Sequence, residues 1–437
     1  MENLPLIYSM TPQNIQDKIE KYLPVREEKK NKNGEVFTPI SLIEEMLEKL
    51  PANVWNNPEL KWLDPANGIG NFPMVVYRKL LDKLPKIHKD LYSTEQGKKK
   101  HIIEKMLYMV ELDVANVEIS GRIFGKNANI SCGSFLEDKW INDFNGIDKF
   151  DIIIGNPPFQ PEKTEQDKRQ GGHGGKKLWD KFIVKSLELL APNGFLGFIT
   201  PSGWRKPESK LYNLMTKENQ LIYSHIFGER QGKELFDVSQ RVDLYVIEKK
   251  SKYKNTEIID ELGEKINLDL SHWTFLPNYD FNNIKKIMTT QENGIKVIYD
   301  TAYHTQKPYV KQTKSVEKYK YPVVHSINQT GLVFWYIDDK TKGHFGVPKV
   351  LLNFNRHQYP VNDYDGKYGM SQITFGIPIT SKKQGDDIVK AINTDAFKEI
   401  IRATKWGAFQ TDWRMFKYFK PDFYKYFLKD EVPGVPA

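Results

Sequence analysis

The chain has 437 residues, of which 39% are hydrophobic and 13% aromatic, so a disordered chain is excluded and more than one packed domain can form. It carries 64 Lys and Arg against 56 Asp and Glu, a net charge of +8 that favours a polyanionic partner. With Cys132 as the only cysteine, an intramolecular disulfide and a cysteine zinc site are excluded. The sequence has no long apolar segment or signal peptide, so we expect a cytoplasmic protein without membrane contact.

The first segment, residues 1–32, is predicted to be a polar helix followed by a charged linker. A helix with apolar residues at helical spacing follows from Ile40. Thr38 is its expected N-cap, and Pro39 occupies its first turn. A helix N-terminus beside a hydroxyl group can hold a carboxylate, so this position is a candidate ligand site.

Residues 33–250 alternate predicted strands and helices, which indicates a doubly wound α/β sheet. Seven strands are predicted, at 60–66, 106–112, 129–135, 151–155, 195–200, 221–227 and 242–249. A loop over 228–241, without a helix, separates the last two strands. We expect those two strands to form an antiparallel hairpin at the edge of the sheet.

The fourth strand ends in the most informative stretch of the sequence. Its apolar run, Ile152 to Ile154, leads directly into Gly-Asn-Pro-Pro-Phe, residues 155–159. The prolines lack N–H donors, so the tip is rich in acceptors: the Asn156 side chain and the carbonyls of Asn156 and Pro157. Two convergent acceptors suit a planar amino group, and Phe159 could stack on the ring that carries it. By itself, the tetrapeptide could equally be a turn after a strand.

Polar residues also end the first three strands, where an open α/β sheet binds its ligand. Asp64 begins Asp-Pro-Ala-Asn-Gly-Ile-Gly, residues 64–70, whose glycines allow close approach of a ligand to the backbone. Glu111 ends the second strand, where an acid usually binds ribose hydroxyls. Ser134 and Phe135 end the third strand. The glycine loop matches neither a dinucleotide fingerprint nor a phosphate loop, so a nucleoside without pyrophosphate is predicted.

After residue 250 the alternation stops, and residues 251–437 are predicted to form a second, α+β domain rich in basic and aromatic residues. Short strands are expected at 323–325, 332–337, 349–354 and 372–377, with a helix over 385–403. Candidate phosphate contacts are the lysines of 307–320, together with Lys405, Arg414 and Lys417. The polar, glycine-containing loop 160–177 borders the Asn156 tip.

Taken in order, these motifs resemble those of the gamma class of S-adenosylmethionine-dependent adenine-N6 DNA methyltransferases. The resemblance covers residues 33–250 and implies a Rossmann-like seven-stranded methyltransferase sheet with a C-terminal target-recognition domain. It implies S-adenosyl-L-methionine as cofactor and no metal. It also implies transfer of a methyl group to N6 of an adenine flipped out of double-stranded DNA. A link to a restriction-modification system is expected, and a cognate restriction endonuclease would be compatible with it.

The resemblance assigns roles to individual residues. Those implied to bind the cofactor are Phe37, Thr38, Asp64, Ala66, Gly68, Glu111, Leu112, Ser134, Phe135 and Asn156. Those implied to be catalytic are Asn156, Pro157 and Phe159, with Phe159 and Phe236 stacking on the two faces of the target base. Phe236 could equally be an ordinary core residue. The class usually has an aspartate at the position of Ser134, and serine is the weaker acceptor for the adenine amino group of the cofactor.

Other functions are alternatives to this one. Methyltransferases that act on RNA or on protein glutamine have a similar Asn-Pro-Pro-aromatic tip, although the large C-terminal domain and the Phe-Thr-Pro segment at 37–39 disfavour them. A non-catalytic DNA-binding subunit is disfavoured by the intact tip. A fused nuclease is not expected in the 33 residues before Gly34. The recognised DNA sequence, the number of strands modified and the oligomeric state stay open.

Overall fold

The computed structural model describes residues 5–22, 38–160, 177–250, 254–354, 358–407 and 411–428. The chain divides into two compact units. The first comprises Met1–Trp204 and Asn213–His272, and the second comprises Arg205–Tyr212 and Trp273–Ala437. Among the described residues, no helix is long and apolar enough to cross a membrane.

The first unit is built on one mixed sheet. Its strands are β1 (Trp62–Asp64), β2 (Leu107–Glu111), β3 (Asn129–Cys132), β4 (Phe150–Gly155), β5 (Leu190–Pro201), β6 (Gln220–Phe227), β7 (Val242–Glu248), β8 (Thr256–Ile259) and β9 (Lys265–Leu268). Its α-helices are Pro12–Tyr22, Ile40–Glu48, Asn71–Lys83, Glu95–His101, Val114–Phe124, Trp140–Asp143, Trp179–Leu189 and Glu229–Phe236. A short helix, Lys210–Asn213, spans the point where the chain returns to this unit.

The nine strands lie in the order β3-β2-β1-β4-β5-β7-β6-β8-β9. The strands β1 to β5 are parallel to one another, whereas β7 is antiparallel to both of its neighbours, β5 and β6. The strand order reverses between β1 and β4, which makes their carboxyl ends the topological switch point. The seven predicted strands and the Rossmann-like sheet are therefore confirmed, within a sheet of nine strands.

Two features at the far side of the sheet differ from the prediction. The predicted antiparallel pairing of β6 with β7 is confirmed, but β8 and β9 extend the sheet beyond β6, so the predicted position at the edge is wrong. The first unit accordingly continues to His272 rather than to residue 250. The segment predicted as a loop contains the helix Glu229–Phe236, which begins after Gly228, whose N–H donates to the Gln231 side chain.

The local sequence explains the elements that surround the switch point. The apolar run of β4 is buried on both faces, as expected for a central parallel strand. Gly70 has φ +97° and precedes the helix Asn71–Lys83. A Cβ on Gly70 would lie 2.5 Å from the Phe124 ring, so glycine permits this turn to pack closely against the helix Val114–Phe124.

The second unit is α+β, as predicted. Its strands are β10 (Tyr321–Asn328), β11 (Gly331–Ile337), β12 (Lys349–Asn353), β13 (Val361–Asp363), β14 (Gly369–Met370) and β15 (Thr374–Pro378). They form two three-stranded sheets, β11-β10-β14 and β13-β12-β15. Its α-helices include Phe281–Ile287, Lys382–Asn393, Asp395–Ala403 and Tyr424–Phe427. The predicted helix over 385–403 is two helices, because Thr394 caps the second one by accepting a hydrogen bond from Phe397 N.

Candidate active site

The predicted site residues Asp64, Glu111 and Asn156 converge on one edge of the first unit. Asp64 ends β1, Glu111 ends β2 and Asn156 directly follows β4, so all three lie at the carboxyl ends of adjacent parallel strands. This edge contains the switch point between β1 and β4. It is the position at which an open α/β sheet is expected to bind a ligand.

The Asp64 carboxyl group is buried and only partly satisfied. Its Oδ1 accepts a hydrogen bond from Ala66 N at 3.1 Å, whereas its buried Oδ2 has no hydrogen-bond partner among the described residues. Complete burial, reinforced by the negative charge of Glu111, raises the pKa of Asp64 to about 8. A buried acid with a free oxygen is suited to bind a cationic or hydrogen-bond-donating ligand, which would favour its ionised form.

The glycine loop is held to β2 through Glu111. Glu111 accepts a hydrogen bond from Gly68 N at 2.6 Å through Oε2 and from Asp113 N at 2.8 Å through Oε1. Beyond it, the side chains of Leu112 and Val114 are 67% and 62% exposed. An acid followed by exposed apolar side chains provides a polar contact for hydroxyl groups beside a surface for a flat ring.

Asn156 is oriented by Thr38. The Asn156 Nδ2 donates a hydrogen bond to Thr38 Oγ1 at 3.2 Å, and its buried Oδ1 has no partner among the described residues. Thr38 therefore does not cap the helix Ile40–Glu48 as predicted. Pro39 is the N-cap residue, and its side chain has no polar atom that could cap the helix, while the Thr38 hydroxyl faces Asn156.

Pro157 and Phe159, which come shortly after Asn156, differ in accessibility. Pro157 is buried, and Phe159 is half-buried and packs against the main core of the unit. The carbonyl of Phe159 accepts a hydrogen bond from Leu178 N at 3.3 Å, which joins the two ends of the predicted loop 160–177. Residues 161–176 of that loop lie outside the described part of the chain.

The residues that follow β3 are partly or fully buried. Ser134 is half-buried, and its carbonyl accepts a hydrogen bond from Glu137 N. Phe135 is only 2% exposed, with ring centroids of Trp140 and Phe182 at 5.6 and 5.1 Å from its own. The ring of Phe135 is thus mainly a core element, and its contact with a cofactor remains a prediction.

Of the remaining predicted site residues, Phe236 is enclosed and Phe37 is not described. Phe236 has no exposed surface and packs edge-on against Phe227 with a centroid distance of 6.2 Å. This placement fits the alternative of an ordinary core residue, and stacking on a base would require the ring to move. Phe37 lies outside the described residues.

The structure adds site residues that the sequence analysis did not single out. Asn67 and Asn71 flank the glycine loop and are buried, and the Oδ1 atom of each lacks a partner among the described residues. Asn67 Nδ2 donates to Ser120 Oγ at 2.9 Å, so that side chain is fixed. Their position beside two glycines after a strand is the sequence feature that could have indicated them.

Nowhere in the described ranges do three or more His, Cys, Asp or Glu residues cluster as a metal site would require.

The basic residues predicted to contact phosphate fall into two groups within the second unit. Lys405 is buried, Arg414 pairs with Asp412, and Lys417 pairs with Glu208 at 2.9 Å. These three are engaged within the protein. In contrast, four exposed lysines form no ion pair with any described acidic residue: Lys311, Lys314, Lys318 and Lys320.

Comparison with known proteins shows which proteins the chain is similar to. Residues 69–232 match the Eco57I restriction-modification methylase family. An uncharacterized adenine-specific methylase of Mycoplasma pneumoniae is 28% identical over 258 residues, covering 42% of this chain and 59% of that protein. The modification methylase CviBIII of Paramecium bursaria Chlorella virus NC1A is 28% identical over 179 residues, covering 40% of this chain and 39% of that protein.

An RNA-modifying enzyme is also similar over a shorter region. The tRNA1(Val) (adenine(37)-N6)-methyltransferase of Porphyromonas gingivalis is 29% identical over 106 residues, covering 24% of this chain and 41% of that protein. The chain thus spans less than two thirds of the length of each of these relatives. The resemblance predicted from the motifs is confirmed: the chain is similar to adenine-specific methylases, and its residues 69–232 match the Eco57I restriction-modification methylase family.

Proposed function

We propose that this protein transfers a methyl group from S-adenosyl-L-methionine to N6 of adenine in double-stranded DNA, within or related to a restriction-modification system. The observation that carries the proposal is a pair of buried acceptor oxygens without partners, Asp64 Oδ2 and Asn156 Oδ1, at neighbouring strand ends. Leaving such atoms unpaired costs about 1–3 kcal/mol each, so a site that keeps them is suited to a ligand with donors.

The residues on the β1 and β2 side fit S-adenosyl-L-methionine. The free oxygens of Asp64, Asn67 and Asn71 are acceptors for an ammonium group, and the Glu111 carboxylate can accept from ribose hydroxyls. The exposed side chain of Leu112 provides an apolar surface for adenine. When bound, this cofactor would supply the methyl group that N6 takes with the loss of one proton.

The residues on the β4 side fit an adenine amino group. Asn156 Oδ1 and the carbonyl of Pro157 are acceptors, and two acceptors around one NH2 favour tetrahedral character at its nitrogen as the new bond forms. Phe159 is available for stacking because part of its ring is exposed. The reaction then needs no general base and no covalent intermediate, and alignment supplies much of the rate enhancement.

A DNA substrate is supported by the charge of the second unit. The exposed lysines at 311, 314, 318 and 320 are not neutralised by described acidic residues, and Lys318 and Lys320 lie beside the rings of Tyr319 and Tyr321. Unpaired lysines interleaved with aromatic residues suit contacts to phosphates and bases. We assign target recognition to this unit.

The test is a transfer assay with labelled S-adenosyl-L-methionine and DNA from a strain that lacks adenine methylation, followed by mass spectrometry of the nucleosides. We expect N6-methyladenine with the unmodified protein and a loss of at least 100-fold with Asn156→Ala, because removing one transition-state acceptor costs about 2.7–4 kcal/mol. Asn57→Ala, at an exposed asparagine of the same unit, is the control and should retain activity.

Parallel reactions with total RNA and with a release-factor protein distinguish the alternatives. If RNA is labelled and DNA is not, the proposed substrate would be an adenine of RNA, as in the tRNA-modifying relative. Label in protein would indicate glutamine methylation. Cofactor binding without transfer to any of the three substrates would favour a non-catalytic DNA-binding subunit.

A further inference from the structure

The contact between Thr38 and Asn156 joins residues that are 118 positions apart in the chain. Thr38 is 3% exposed, and its Oγ1 accepts from Asn156 Nδ2 at 3.2 Å. We propose that Thr38 is a positioning residue that anchors the Asn156 side-chain amide by accepting from its Nδ2. This inference rests on the proposed methylation of an amino group.

The orientation of the amide decides whether Asn156 can act. A primary amide has an acceptor oxygen at one end and two donor protons at the other. With Nδ2 held by Thr38, Oδ1 is the free end, and it is buried without a described partner. If the amide were reversed, its NH2 group would meet the NH2 group of the target base, and two donors would face each other.

The backbone that follows cannot hold the amide from its oxygen end. Residues 157 and 158 are prolines and have no N–H group, so neither can donate to Oδ1 or hold the amide plane from the following turn. The hydroxyl of Thr38 is the described hydrogen-bond partner of the Asn156 side chain. Loss of that hydroxyl would therefore leave the amide free to rotate.

Thr38 is itself anchored to the glycine loop. The Thr38 carbonyl accepts a hydrogen bond from Asn71 Nδ2 at 3.5 Å, and Asn71 is the first residue of the helix that follows the loop. The chain Asn71, Thr38, Asn156 thus connects the proposed cofactor side of the site with the proposed target side. It gives the backbone at Thr38 a fixed position from which its hydroxyl can act.

Three variants test the inference: Thr38→Val, Thr38→Ser and Thr256→Val. Valine has the shape of threonine but no hydroxyl, serine keeps the hydroxyl, and Thr256 is a buried threonine of β8 that donates to Leu221 O. For Thr38→Val we expect kcat for DNA methylation to fall about ten-fold, the value of one buried hydrogen bond. The Kd for sinefungin, measured by calorimetry, should change less than about two-fold, because the Thr38 hydroxyl is engaged by Asn156 and not by the cofactor contact that the resemblance implies for Thr38. Thr38→Ser should recover most of the rate, and Thr256→Val should retain it.

A second readout does not depend on turnover. In protein labelled with 15N-asparagine, the side-chain NH2 resonances of Asn156, assigned by their absence in Asn156→Ala, should shift in Thr38→Val and return in Thr38→Ser. The inference is overturned if Thr38→Val leaves both kcat and these resonances unchanged, if it raises only the Kd for sinefungin, or if Thr38→Ser is as impaired as Thr38→Val. Failure of the proposed function would differ, since the unmodified protein would then form no N6-methyladenine.

Discussion

Gly155 lies so close to Asp64 that a Cβ at position 155 would be 2.8 Å from Asp64 Oδ1. Such a distance is shorter than real Cβ contacts allow. The absence of a side chain at the end of β4 thus permits the carboxyl group at the end of β1 to occupy the switch point. The two halves of the proposed site, one for the cofactor and one for the target, meet at this contact.

Gly155→Ala should therefore impair the site and reduce stability. The added methyl group must displace the buried Asp64 side chain, and such overpacking typically costs about 1–3 kcal/mol. We expect a lower melting temperature and weaker binding of S-adenosylhomocysteine. Gly121→Ala is the matched control, because a Cβ at that helical position meets no atom within 4 Å. If the two variants have the same melting temperature and the same affinity for S-adenosylhomocysteine, the close approach of Gly155 to Asp64 is not required.

The raised pKa of Asp64 predicts a pH dependence of stability. Burial raises this pKa from an ordinary value near 3.8 to about 8, so between these values the folded state keeps a proton that the unfolded state has lost. The free energy of unfolding of the ligand-free protein should consequently fall as the pH rises from about 4 to 8, by about 1.4 kcal/mol per unit of pKa shift at most.

Asp64→Asn isolates this contribution. The amide resembles the protonated acid, so urea denaturation at a series of pH values should show a smaller decrease for the variant, which becomes the more stable protein near pH 8. The variant should also bind S-adenosyl-L-methionine more weakly because the negative charge is lost. Parallel pH profiles of the two proteins would contradict the assignment of the titration to Asp64.

The sequence predicts those parts of the site whose position follows from the order of strands and helices along the chain. Strand ends in a parallel sheet share an edge, so Asp64, Glu111 and Asn156 could be brought together from the alternation of strands and helices alone. The hydrogen bond between Thr38 and Asn156 could not, because it depends on the three-dimensional path of the segment before the helix Ile40–Glu48.

The errors of prediction have physical causes as well. The strands β8 and β9 are four residues each, and the burial of β9 alternates between exposed and half-buried, so their sequence carries little hydrophobic signal. The break between the two helices at Thr394 could have been predicted, since threonine followed by aspartate is a common start of a helix. The burial of Phe236 depends on the helix Glu229–Phe236, which a loop prediction cannot supply.

Glu111 is expected to determine cofactor affinity more than the rate of transfer. Glu111→Gln keeps one acceptor oxygen but removes the charge and one of the two contacts, to Gly68 N or Asp113 N. A hydrogen bond to a charged group contributes about 1.5–3 kcal/mol, so the Kd for S-adenosylhomocysteine should rise at least ten-fold. At saturating cofactor, kcat should change only a few-fold. Glu118→Gln, at an exposed position of the following helix, is the control. A large loss of kcat with unchanged Kd would contradict this role.

The second unit contains a buried ion pair on which its folding should depend. The side chains of Lys349 and Asp363 are 0% and 2% exposed, and Lys349 Nζ donates to Asp363 Oδ2 at 2.8 Å. The same Nζ also donates to the carbonyls of His344, Val347 and Tyr368, so the cation is fully surrounded by acceptors. Burial lowers the pKa of Lys349, and the nearby carboxylate opposes this shift.

Lys349→Met should destabilise the second unit by about 3–5 kcal/mol, because it leaves the Asp363 carboxylate buried without its cation. Lys383→Met removes an exposed lysine whose pair with Asp387 contributes at most about 1 kcal/mol, and it serves as the control. Differential scanning calorimetry should show a large decrease of melting temperature for the first variant only. Replacing both partners, in Lys349→Met with Asp363→Leu, should recover part of the loss, since no unpaired charge then remains. Equal melting temperatures for Lys349→Met and Lys383→Met would show that the ion pair between β12 and β13 does not stabilise this unit.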